Sequence, residues 1–191
     1  MTRHSLPFLA CMIAGTAFAQ NVAIPIPILN PGFEADALSC SAGLNCFAGG
    51  VTGWLVGPAS GIIKPSTAQY PGGIPGGANV AYIGVPPSTG SLMQTLGETV
   101  RANATYTLSV AIGHRADEVF TGYVAAITAA DVILASDSSL SPAFGTFEED
   151  VIVYRSGPSP PQLGRSLAIF IKSFGTGQAD VDNVSLTIAA Q

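Results

Sequence analysis

The chain has 191 residues, only 10% of them charged, and its 7 Lys and Arg against 12 Asp and Glu give a net charge of −5. The bases are scattered, with no stripe or cluster, which argues against a nucleic-acid partner. Few charges and many Gly, Ser and Thr residues resemble a secreted surface rather than a cytosolic one.

The first stretch, "MTRHSLPFLACMIAGTAFAQ", pairs Arg3 and His4 with an apolar run and a small-x-small pattern, Ala17-Phe18-Ala19. It reads as a secretory signal peptide over 1–19, cut before Gln20. The run is shorter than the roughly 20 apolar residues of a membrane span. Cys11 as a lipidated residue is the weaker reading, because Phe8-Leu9-Ala10 matches that signal poorly. Residues 20–191 are expected to form one domain outside the cell, secreted or periplasmic, long enough to bury roughly 70% of its unfolded surface.

The apolar segment 22–29 follows, interrupted by Pro25 and Pro27, so part of it is an edge or entry segment. An extended apolar end of this kind can add a strand to a neighbour, a route to self-association. "CSAGLNC" then places Cys40 and Cys46 in a loop-like stretch. Export favours a Cys40–Cys46 disulfide over a metal pair, since no further Cys or nearby His completes a site. Closing so short a loop contributes about 2 kcal/mol.

Short β-branched runs bounded by Gly, Pro, Ser and Asn predict strands at 53–56, 61–64, 79–84, 91–96, 105–113, 120–128, 131–136, 148–154, 166–172 and 179–188. In "TYTLSVAIG" the residues Tyr106, Leu108, Val110 and Ile112 alternate with milder ones, giving one buried face. Many short strands and no helical period predict an all-β sandwich or barrel. The Gly- and Pro-rich stretch 57–78 reads as a long surface loop around one short strand, and loops of that length are commonly functional. Tyr70, flanked there by "AQ" and "PGG", is expected to be exposed and to contact a ligand.

Catalytic signals are thin. His114 is the only histidine beyond the leader, and no Gly-x-Ser-x-Gly elbow accompanies it. In "HRADE" (114–118) it reads as part of a solvated loop with a local ion pair, and "FEED" (147–150) as an exposed strand start. From these residues the protein is expected not to be an enzyme.

Four stretches occur in a recognisable order: "ILNPGFE" (28–34), "VTGWLVG" (51–57), "ANVAYIGVPPSTGSLMQTLGETVRANATYTLSVAIG" (78–113) and "QADVDNVSLT" (178–187). Together they resemble the galactose-binding-like jelly rolls of extracellular carbohydrate-binding modules and related secreted bacterial proteins. The resemblance implies a jelly-roll β-sandwich of two antiparallel sheets, with the first and last strands paired. It also implies a structural calcium beside them, with Glu34 and Asp182 as carboxylate ligands and carbonyls near Asn30 and Gly32 completing the set. The chain departs from the pattern in having no acid between Asp36 and Glu98, where Asn79 is the available substitute. Without a cation, Glu34 caps a turn and Asp182 accepts backbone hydrogen bonds. Asp180 shares a strand face with Asp182, and that pairing of like charges favours a cation.

Tyr82, Gln94, Arg115 and Tyr123 match positions on strands or strand ends that line the concave face in that family, and Trp54 matches a packed position. Gln94 alternates with Leu92 and Leu96, so it faces either a ligand or neighbouring backbone. The function expected on this basis is non-catalytic recognition of an extracellular or cell-wall glycan. The alternative is a structural or adhesive matrix or filament subunit that binds no sugar.

Overall fold

The computed structural model describes residues 22–38 and 46–191. The expected leader and Cys40 lie outside the described residues. Cys46 is disulfide-bonded, but its pairing with Cys40 is therefore not described.

The described residues form twelve strands and no helix. These are β1 Ile24–Pro25, β2 Cys46–Ala48, β3 Leu55–Val56, β4 Ser60–Lys64, β5 Val80–Ile83, β6 Ser91–Thr99, β7 Ala104–His114, β8 Tyr123–Ala129, β9 Val132–Asp137, β10 Thr146–Arg155, β11 Ser166–Ser173 and β12 Ala179–Ala190. One sheet runs β10-β7-β12-β5-β4-β2, with β1 also on β12; the other runs β3-β6-β11-β8-β9. All pairings are antiparallel. The molecule is the expected jelly-roll sandwich. No helix among the described residues is long and apolar enough to cross a membrane.

Side-chain alternation builds the core. On β7, Tyr106, Leu108, Val110 and Ile112 are fully buried, whereas Thr107 and Ser109 on the other face are half-buried. They meet Ile127, Leu167 and Ile169 of the facing sheet. Burial of each such side chain stabilises the fold by about 1.5–3 kcal/mol.

Two expected segments differ. The strand foreseen over 22–29 shortens to Ile24–Pro25, because prolines lack the N–H that a ladder needs. Strand β2 was not foreseen; three residues are too few to show a period.

The two ends do lie side by side. Ile24 and Pro25 pair with Ile188 and Thr187, and the Val184 amide donates to the Pro31 carbonyl at 2.9 Å. The N-terminal segment thus pairs with a sheet of its own chain.

Candidate active site

One row of residues crosses the outer face of the larger sheet. Its register reads Phe147 on β10, Gly113 on β7, Asp180 on β12, Tyr82 on β5 and Gly61 on β4. Directly paired antiparallel residues project to the same face, so a carboxyl group lies among aromatic rings. Gly113 leaves the space for this. A Cβ there would lie 2.5 Å from the Phe147 ring and 2.7 Å from the Tyr70 hydroxyl.

The segment 65–79 between β4 and β5 folds back over this row. Tyr70 is 2% exposed, tilts against Phe147 at 4.6 Å between ring centres, and donates its hydroxyl to Asp180 Oδ2 at 2.8 Å. The expected exposed loop tyrosine is therefore buried. Its apolar ring covers the aromatic row, and its hydroxyl has a partner that the local sequence does not reveal.

Asp180 is fully buried and also accepts a hydrogen bond from Gln178 Nε2, at 2.6 Å on Oδ1. Burial raises its pKa to about 6, against the opposing pull of Gln178, Tyr70 and the Arg115 charge. Burial and the Asp180 charge raise the Tyr70 hydroxyl in turn. Arg115 Nη1 donates to Gln178 Oε1 at 3.3 Å, while its Nε and Nη2 grip Asp117 at 3.0 and 2.8 Å. Gln69 Nε2 donates to the same Asp117, which ties the covering segment to the end of β7.

Beside this network opens a cavity of about 210 Å³. Phe47, Ile63, Tyr82 and Val85 form its apolar wall, and Arg115, Gln178 and Glu118 its polar one. Gln178 lies between cavity and acid: it lines the first and bonds the second. A buried carboxyl that holds its proton into the mildly acidic range, next to an aromatic cavity, is suited to proton donation.

The other expected contact residues are dispersed. Tyr82 and Arg115 do line the cavity. Gln94 clamps the backbone of Leu29 on both sides, Leu29 N–H to Oε1 at 2.8 Å and Nε2 to the Leu29 carbonyl at 2.9 Å, so its partner is backbone and not a ligand. Tyr123 is fully buried in the smaller sheet and donates to Asp150 Oδ2 at 2.6 Å, away from any concave surface. His114 is not in a solvated loop: it ends β7, buried against Phe120 and Phe144, with Nδ1 2.8 Å from the Pro142 carbonyl. The Arg115–Asp117 ion pair is present, but its arginine is buried. Asp180, Gln178, Glu118 and Phe47 were not singled out as functional. The available signal for Asp180 was a carboxylate that shares a strand face with another one.

Glu34 and Asp182 are brought together by the meeting of the two ends. Glu34 Oε1 accepts the amides of Ala78 and Asn79 at 2.8 and 2.7 Å. Asp182 accepts those of Gly76 and Asn183 at 3.1 and 2.7 Å. Burial raises Asp182 to about pH 6, and the Glu34 charge adds to the rise. The amides offset part of this, and a cation would remove the repulsion that remains. The set is small, however: no group of three or more His, Cys, Asp or Glu gathers among the described residues. The Asn30 and Pro31 carbonyls already accept other hydrogen bonds.

Comparison with known proteins corrects the functional expectation. The chain matches no curated protein. A cyclase from Fischerella sp. TAU, solved with (3Z)-3-(1-methyl-2-pyrrolidinylidene)-3H-indole, is 28% identical with a TM-score of 0.78, over 89% of this chain and 100% of that one. A second structure from the same source, a cyclase with 4-(1H-indol-3-yl)butan-2-one, is 29% identical with a TM-score of 0.77, over 88% and 100%. A carbohydrate-binding module holding β-1,4-galactotriose shares only the fold, at 15% identity and a TM-score of 0.53 over 88% and 98%. The jelly-roll likeness was sound, but the expectations of glycan recognition, of a structural subunit and of no enzyme are overturned by the cyclase match. The model of the HpiC1-like family, described as HpiC1 cyclase, matches residues 24–187, and the chain belongs to that family.

Proposed function

We propose that this protein is an acid-initiated cyclase for small molecules that carry an indole ring, with Asp180 as the proton donor. The observation that carries the reading is the fully buried Asp180 beside the aromatic cavity, held by Tyr70 and Gln178. The family and the indole ligands of the Fischerella cyclases support it.

In this reading Asp180 O–H breaks and its proton goes to an unsaturated carbon of the substrate. A cation and a carboxylate result. Tyr70 and Gln178, both able to donate, stabilise the carboxylate. The faces of Tyr82 and Phe47 stabilise the cation. Ring closure moves the positive charge, and loss of a proton back to Asp180 ends an isomerisation with no net change of atoms. Gln178 or Tyr70 must swing aside for contact, and the glycines at 72, 73, 76 and 77 give the covering segment that freedom.

The test is turnover of indoles with alkenyl side chains in D2O, read as ring-closed product carrying one deuterium on carbon. Asp180→Asn should lower the rate at least about 100-fold, the usual scale for a lost general acid. Absence of both product and deuterium across such a panel would remove the reading.

We propose further that calcium bridges Glu34 and Asp182 and that residues 1–19 direct export. The first is supported by the mutual repulsion of the two carboxylates, the second by the leader pattern. Saturating calcium should raise Tm, by about 2.7 kcal/mol of stability at 100 times Kd, and Glu34→Ala should abolish the rise. An unchanged wild-type Tm would dismiss the ion.

A further inference from the structure

The cavity next to Asp180 carries an unmatched charge. Of its polar lining, Gln178 is neutral, and Arg115 is neutralised from behind by the two-point pair with Asp117. Glu118 is half-buried, and its carboxylate forms no hydrogen bond or ion pair among the described residues. Its charge interaction with Arg115 is shared with the much closer Asp117. Taking Arg115, Asp117 and Glu118 together, one negative charge remains, on a residue that lines the cavity together with Phe47, Ile63, Tyr82 and Val85.

A half-buried carboxylate that shares a cavity with aromatic rings attracts a cation on two counts. The carboxylate supplies a charge-assisted hydrogen bond, and the ring faces supply their negative quadrupoles. The same wall repels an anionic ligand, and it gives a neutral one little beyond apolar contact.

We propose that Glu118 makes this cavity selective for flat apolar ligands that bear a protonated nitrogen. The proposal rests on the cavity being the substrate site of the cyclase reading, and it names the class of molecule that site prefers.

The two indole ligands of the Fischerella structures are suitable probes. The pyrrolidinylidene indole holds conjugated basic nitrogens that take up a proton, and the indolyl butanone holds a ketone and no basic nitrogen. Calorimetry on the wild type should show the basic ligand binding more tightly, with an affinity that falls at high salt while that of the ketone stays constant. Glu118→Gln keeps the shape and removes the charge. It should weaken the basic ligand about tenfold or more, the scale of one charge-assisted hydrogen bond, and leave the ketone unchanged. Equal effects on both ligands, or none, overturn the proposal and leave the cyclase reading standing. Salt-independent binding of the basic ligand overturns it as well, without reliance on the variant. Failure of both ligands to bind the wild type overturns the substrate-site reading, and the selectivity falls with it.

Discussion

The molecule holds two buried tyrosine–aspartate pairs of nearly the same chemistry. Tyr70 donates to Asp180 at 2.8 Å, and Tyr123 donates to Asp150 at 2.6 Å. Both aspartates have pKa values raised chiefly by burial. Their surroundings differ. Asp180 lies on the outer face of a sheet, under a glycine-rich segment, with Gln178 linking it to a cavity. Asp150 points inward from β10 and meets Tyr123 of the other sheet, with the Asp137 charge nearby. Buried carboxyls alone therefore do not mark a reacting group; access to a cavity separates a proton donor from a seam between sheets.

Substitutions can break that comparison. The largest expected effect is the one already assigned to Asp180→Asn, a loss of at least about 100-fold in turnover with the fold intact. Tyr123→Phe should do the reverse. It leaves Asp150 without its hydroxyl partner, costs about 1–3 kcal/mol in chemical denaturation, and keeps turnover per folded molecule. If Tyr123→Phe removed turnover without loss of stability, the roles would have to be exchanged.

Gly113→Ala is next in size. A methyl group there meets Tyr70 and Phe147, and overpacking of this kind costs about 1–3 kcal/mol. Because the displaced hydroxyl is the one bonded to Asp180, turnover should fall more than stability does. Equal losses would mean that the glycine serves packing alone.

The smallest effects come from pH. Asp150 has a folded pKa above its unfolded one. Its contribution to stability is present below the unfolded value, near pH 4, and is lost as pH rises through the folded value. Asp150→Asn should flatten that part of a stability-versus-pH curve. Asp180 sharpens the contrast, since its titration should appear in the rate: turnover in calcium-free buffer should decline as pH rises through about 6. A stability curve for Asp150→Asn identical to that of the wild type would contradict the first assignment, and a rate flat from pH 5 to 8 the second.

Much of the fold was legible because alternation has a period that local sequence records. Tyr106, Leu108, Val110 and Ile112 announce one buried face, while the meeting of the two ends came from the family resemblance carried by "NPGFE" and "DVDNV". The site was less legible. Tyr70 sits among glycines and prolines, and nothing local says that its segment folds back onto a strand 110 residues away. Alternation put Gln94 on the face of Leu92 and Leu96 but left ligand and backbone both open, and Tyr123 looked like a concave-face group, until their partners, Leu29 and Asp150, were known. Asp180 required the register of three strands, which pairs it with Gly113 and Tyr82. Arg115 and Tyr82, placed at strand ends by the family resemblance, both line the cavity beside Asp180, whereas what that cavity holds was not legible.

Strand β12 is flanked by β7 on one side and by β5 and β1 on the other. It is also the last in chain order of the twelve strands among the described residues. A chain that lacks this strand has an open slot in its larger sheet, and exposed strand edges in such a slot are prone to wrong pairings. Asp180 sits on that same strand, so in the proposed cyclase the proton donor and the closing of the sheet come together.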